Sequence, residues 1–213
     1  MRAFSFKKLL FFWFLFSFIL IFGDQFLKFW VKTSFELHEE LPMFNTDWFF
    51  LRFVENEGFA FGLSFFGETG KFLLTLFRFI LAGGVLFYLF YLIKNRAKFW
   101  VVLCFVLIFS GAIGNLIDSV FYGVFFSESL RGGGVAFFLP DSGGYAPLFF
   151  GRVVDMFYFD IFRFNFPNWV PFFGGKEWRF FDYIFNLADS YITVGAFLLF
   201  FITPFKPVSI KKQ

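Results

Sequence analysis

The sequence predicts an all-α polytopic membrane protein with four transmembrane helices, and three observations carry that reading. The 213 residues are 59% hydrophobic with a mean hydropathy of +0.71, too apolar for a soluble domain built round one core. Four apolar stretches reach the ~20 residues needed to cross a hydrocarbon core. The charges are segregated: all 16 Asp and Glu fall between Asp24 and Asp189, while basic residues gather beyond three of the helix boundaries.

The first helix, about 9–31, follows Arg2, Lys7 and Lys8. Its apolar part is too long for a cleavable signal peptide and no small-x-small site follows, so it is read as retained. The second and third, about 72–93 and 99–120, are joined by a turn with Lys94, Arg96 and Lys98; the fourth, about 184–205, precedes Lys206, Lys211 and Lys212. By the positive-inside rule both termini and that turn face the cytoplasm, which puts the polar chemistry at the outer face. Outer loops 32–71 and 121–183 complete a single membrane-embedded domain, 1–213.

Loop 32–71 carries aromatic and β-branched runs around Asn56 and Gly58, read as short strands and a turn that rest on the membrane and cradle an extended peptide. Loop 121–183 opens with a glycine-rich insert. It then mixes Trp169, Trp178 and many Phe with Arg163, Lys176 and Arg179, the composition of a segment in the headgroup region. Among 48 Phe, many take the lipid-facing role usually held by Leu and Ile.

Several classes are excluded. Cys104 is the single cysteine, so no intrachain disulfide forms, and its apolar run marks it as a small buried hydrophobe. His38 lacks partners for a metal site or a catalytic triad, and no metal or cofactor is expected. The net charge of +3 points to no nucleic-acid partner.

The informative residues are polar ones at bilayer depth, where ionisable groups are costly and usually functional. Asp155 lies in GRVVDMF and Asp189 in FNLADS. Gly111, Asn115 and Asp118 share a stripe of the third helix at i, i+4 and i+7. Asn186 and Asp189 stand at i, i+3 in the first turn of the fourth, and Asp24 and Lys28 at i, i+4 near the end of the first. All three faces point into one cavity. Taken singly, Asp24, Lys28 and Asn115 fit interhelical hydrogen bonding as well as site chemistry. Two carboxylates sharing a site differ: their pKa values split, giving one acid and one base near neutral pH, which peptide hydrolysis by water requires. The reading is a membrane aspartyl peptidase. Arg78 is expected to pair with a site carboxylate, Asp118 first, with Arg152 as the alternative cation. Ser110, Ser119 and Ser190 lack an accompanying base. A transporter or lipid-binding module that relays protons is the competing class, but no polar path leads to the cytoplasmic side.

Asp24 with Lys28, Asn56-x-Gly58-x-Ala60-Phe61-Gly62, Gly114-Asn115 with Asp118, Val153-Val154-Asp155 and Phe185-Asn186-x-Ala188-Asp189-Ser190, in this order, resemble the lipoprotein signal peptidases, the type II signal peptidases of bacteria. The resemblance covers nearly the whole chain. It implies removal of the signal peptide from a diacylglyceryl-modified prolipoprotein just before the lipidated cysteine, in the bacterial cytoplasmic (inner) membrane. It also implies four transmembrane helices under a small extracytoplasmic β cradle, an aspartyl dyad at Asp155 and Asp189, and inhibition by globomycin-type compounds. The supporting positions are Asp24, Lys28, Asn56, Gly58, Asn115, Asp118, Asn186 and Ala188. Two departures stand out: Ser119 takes the place where many members have Arg, and the glycine-rich insert replaces a short link.

Overall fold

The computed structural model describes residues 5–58 and 67–202. Arg2, Ala60, Phe61, Gly62, Lys206, Lys211, Lys212 and the predicted helix end at 205 lie outside the described residues. Three helices are long and apolar enough to cross a membrane: α1 (Phe6–Ser34), α2 (Gly67–Lys94) and α3 (Phe99–Phe125). Each is proline-free, and each exceeds the ~20 residues a bilayer core requires. The next helix, α4 (Leu187–Ile202), has 16 described residues. It starts later than the apolar run because Ile184–Phe185 is drawn off as a strand, and Asn186 therefore precedes the helix instead of sitting in its first turn.

α3 is the centre of the bundle and packs against α1, α2 and α4. Two glycines make that approach possible. A Cβ at Gly111 would run into the Ala188 carbonyl of α4, and one at Gly114 would meet Asp24 Oδ2 at 2.6 Å. Near its C-terminal end α3 passes from α-helix (Phe99–Ile117) into a π-helical turn (Asp118–Tyr122). Such turns re-aim side chains and occur often at functional sites. Cys104 is fully buried on α3. Lipid-facing surface is rich in Phe; Phe18, Phe22 and Phe26 stack along one side of α1 at the i, i+4 spacing.

Outside the bundle lies an antiparallel sheet in the order β1 (Glu40–Pro42), β2 (Phe49–Asn56), β3 (Val153–Phe159) and β6 (Ile184–Phe185). Leu51, Phe53, Val154 and Met156 form a core with Val31 and Phe35 at the end of α1 and with Tyr122 and Phe126 of the α3 end. A bulge between Leu51 and Val54 shifts the register so that Val54 faces Asp155. The aromatic segment after β3 is a separate hairpin, β4 (Arg163–Asn165) with β5 (Glu177–Arg179). The glycine-rich insert is mainly loop, closed by one bridge between Phe126 and Phe138.

Candidate active site

Asp155 sits in β3, which is paired on both sides by β2 and β6, and is 3% exposed. Asp189 is the third residue of α4 and half-buried. Asn186 joins them. Its Nδ2 donates to Asp155 Oδ1 at 2.7 Å, while its Oδ1 accepts from the Asp189 backbone N–H at 2.9 Å. Asp189 Oδ2 accepts in return from the Asn186 N–H at 3.4 Å. This reciprocal arrangement is a capping box built with Asn and Asp, so the helix start fixes the carboxylate. Asn56, the last residue of β2, donates to Asp155 Oδ2 at 3.0 Å, and its Oδ1 accepts the Gly58 N–H at 2.7 Å. Asn115 of α3 donates to Asp189 Oδ1 at 2.7 Å.

Beneath this layer lies an ion cluster with no access to water. Lys28 Nζ contacts Asp24 Oδ2 at 2.9 Å, Asp118 Oδ2 at 2.8 Å and Asn115 Oδ1 at 2.9 Å, so all three of its protons have acceptors. Asp24 Oδ1 accepts from the Ala188 N–H at 2.9 Å, satisfying another orphan donor of the α4 start. Asp118 accepts from Gln25 Nε2 at 2.8 Å and from the Val154 N–H next to Asp155. The π-helical turn of α3 is thus tied to β3 by a buried carboxylate.

Burial first, and the negative charge of Asp189 second, push the Asp155 carboxyl up to about 7; the Asn56 and Asn186 hydrogen bonds act against this. Asp155 therefore retains a proton at pH values where ordinary carboxylates are ionised. Two clefts flank the pair. One, of about 690 Å³, is lined by Asp189, Arg78, Gly58 and the first turns of α4; the other, of about 510 Å³, by Asp155, Val54, Glu57 and Asp182. Asn56 and Tyr183 line both.

The structure thus brings Asp24, Lys28, Asn56, Asn115, Asp118, Asp155, Asn186, Ala188 and Asp189 into one hydrogen-bonded network, with Gly58 at its rim. The expected ion pair of Arg78 with Asp118 does not occur, and Arg78 has no carboxylate partner within salt-bridge distance among the described residues. Its guanidinium donates to Ser119 Oγ at 2.8 Å and covers Gly58, where any Cβ would collide with it. Arg152, the alternative, pairs instead with Glu55, Glu57 and Glu128. Asp118 is instead engaged by Lys28, Gln25 and the Val154 N–H. Sequence reasoning also missed Gln25, which bridges Asp118, Asp24 and the Gly114 carbonyl. Lys32, buried and paired with Glu55 and Ser129, was legible only as the i+4 continuation of the Asp24–Lys28 stripe. No cluster of His, Cys, Asp or Glu suited to a metal ion occurs among the described residues.

Comparison with known proteins agrees with this architecture. The sequence profile of the Signal peptidase (SPase) II family matches residues 16–205. The lipoprotein signal peptidase of Porphyromonas gingivalis is 45% identical over 188 residues, covering 87% of this chain and 80% of the relative. That of Amoebophilus asiaticus is 33% identical over 180 residues, covering 83% and 70%. A solved bacterial membrane enzyme superposes with a TM-score of 0.57 at 22% identity, over 89% of this chain and 85% of that one, a likeness of fold. A multi-pass membrane protein whose sequence matches the family over nearly its full length, this chain belongs to the signal peptidase II family and is a peptidase of that family.

Proposed function

We propose that this peptidase removes the signal peptide from diacylglyceryl-modified prolipoproteins, cleaving just before the lipidated cysteine, with Asp155 and Asp189 as the catalytic pair. The observation that carries the reading is the Asn186 bridge, which holds a buried carboxyl on a strand and a half-buried one at a helix start in one network. Asp189, ionised and open to the larger cleft, takes a proton from a water whose oxygen attacks the scissile carbonyl carbon. Asp155, protonated, donates a hydrogen bond to the carbonyl oxygen as negative charge develops there. The proton held by Asp189 then passes to the leaving nitrogen as the C–N bond breaks. A carboxylic acid on the signal peptide and a free amine on the lipidated cysteine result, so one water is consumed and no covalent enzyme intermediate forms.

The two clefts suit the two parts of such a substrate. The larger one opens beside Ile192, Thr193 and Val194, where an apolar signal helix can enter sideways from lipid. The smaller one runs over the face of the sheet, where the chain beyond the cysteine can lie extended. On this reading α4, apolar along its 16 described residues, is a fourth span. The protein lies in the bacterial inner membrane with both termini cytoplasmic and the dyad at the outer face. In support, Lys7, Lys8, Lys94, Arg96 and Lys98 all belong to the bundle end opposite the dyad. Inhibition by globomycin-type compounds belongs to the same proposal.

The test is purified protein in detergent with a diacylglyceryl prolipoprotein peptide, scored by mass spectrometry for the signal fragment. Release of the fragment by the intact chain and none by Asp155→Asn or Asp189→Asn is expected. Full cleavage by either variant overturns the dyad, and a cut anywhere but before the lipidated cysteine overturns the substrate assignment.

A further inference from the structure

At the end of the bundle remote from the dyad, a cavity of about 430 Å³ opens between the first turns of α1 and the α2–α3 turn. Lys8 lies 16 residues before Asp24 on α1, about 24 Å away at ~1.5 Å per residue. The walls are apolar: Phe12, Trp13, Phe99 and Val102, with Trp13 and Phe99 rings 5.0 Å apart. Trp13 and Val102 are buried, whereas Phe12 and Phe99 are 50% and 52% exposed, so the wall continues into the lipid-facing surface. Two cations, Lys8 and Arg96, line the same cavity.

Neither cation has a carboxylate partner among the described residues, and no Asp or Glu occurs in the first turns of α1, in the α2–α3 turn or at the start of α3. Arg96 is held in a particular way. The Ala97 N–H donates to the Leu92 carbonyl at 3.0 Å and the Arg96 N–H to the Ile93 carbonyl at 3.2 Å, the two bonds of a Schellman motif. Arg96 occupies its left-handed position with φ 52°, where glycine is the usual residue because a side chain is strained there. The chain accepts that strain at a turn position whose side chain lines the cavity.

We infer that this cavity binds an anionic phospholipid of the bilayer leaflet on that side, its phosphate between Lys8 and Arg96 and the upper part of an acyl chain against Phe12, Trp13 and Phe99. The occupant follows from the charge and the shape together: two cations without a carboxylate partner among the described residues, over an apolar slot that runs into the lipid-facing wall, match a molecule with an anionic head and an apolar tail. Basic pockets between helices at a membrane surface take such headgroups in general. The inference is independent of the dyad and of which side faces the cytoplasm.

The experiment is native mass spectrometry of the full chain in a neutral detergent, titrated separately with phosphatidylglycerol, phosphatidylcholine and glycerol phosphate. Phosphatidylglycerol is expected to bind, with Lys8→Gln/Arg96→Gln weakening it about thirtyfold, the factor for two headgroup-facing cations. Ala97→Leu, which fills the slot and keeps both cations, should weaken it comparably and decides the matter if the double variant does not fold. Unchanged phosphatidylglycerol binding in a folded variant, equal binding of phosphatidylcholine, or equal binding of acyl-free glycerol phosphate would each overturn the site.

Discussion

Asn186 donates through Nδ2 to Asp155 Oδ1 at 2.7 Å, so the residue that caps a membrane helix is also the one that orients the buried carboxyl of a strand. Helix start and sheet cannot shift independently without breaking this bond. The relation explains how a small four-stranded sheet holds a side chain in fixed geometry against the bundle.

Asp155→Asn and Asp189→Asn should each lower cleavage by at least ~10³-fold, and the double variant should be hardly slower than either single one, because members of a catalytic unit are non-additive. Steady-state assay of the lipopeptide with all three purified variants checks this. Activity within tenfold of the parent in either single variant would remove that residue from the pair.

The rate should fall as pH rises through about 7, where Asp155 loses the proton its role as acid requires. Stability carries the same sign. Folded Asp155 holds its proton up to about 7 against ~3.9 in the unfolded chain, so its contribution is complete below about pH 4 and is lost as pH rises to about 7. Melting temperature in detergent, compared between parent and Asp155→Asn, should show this slope only in the parent.

Asn56→Ala should lower turnover about 10- to 100-fold in a folded protein, since a positioning hydrogen bond to the acid is lost. The bond favours ionised Asp155, so its removal should move the alkaline limb of the pH profile upward. A merely structural Asn would leave that limb in place, which makes the profile the deciding measurement.

Lys28→Met should destabilise the protein by about 3–5 kcal/mol, because it leaves Asp24 and Asp118 as unpaired buried carboxylates. Adding Asp24→Asn and Asp118→Asn to that variant should recover much of the loss. Thermal or denaturant unfolding in detergent reads both effects, and a Lys28→Met variant as stable as the parent would show the cluster to be dispensable.

Much was legible in the sequence because it is written in local pattern. Long proline-free apolar runs give α1, α2 and α3, and the i, i+4 spacing of Asp24 and Lys28 gives their ion pair. Signatures such as VVD and FNLADS point to Asp155, Asn186 and Asp189 by sequence alone. What the tertiary structure decided depends on residues far apart along the chain. Lys28 reaches Asp118 because α3 packs on α1 and turns π-helical there, and with Asp118 so occupied Arg78 turns to Ser119. The apolar run predicts helix for Ile184 and Phe185, but pairing with β3 makes them strand and leaves Asn186 as the cap. Periodicity reports which face of an element is apolar; which buried donor meets which acceptor is set by packing, and at this depth each must find a partner within the protein.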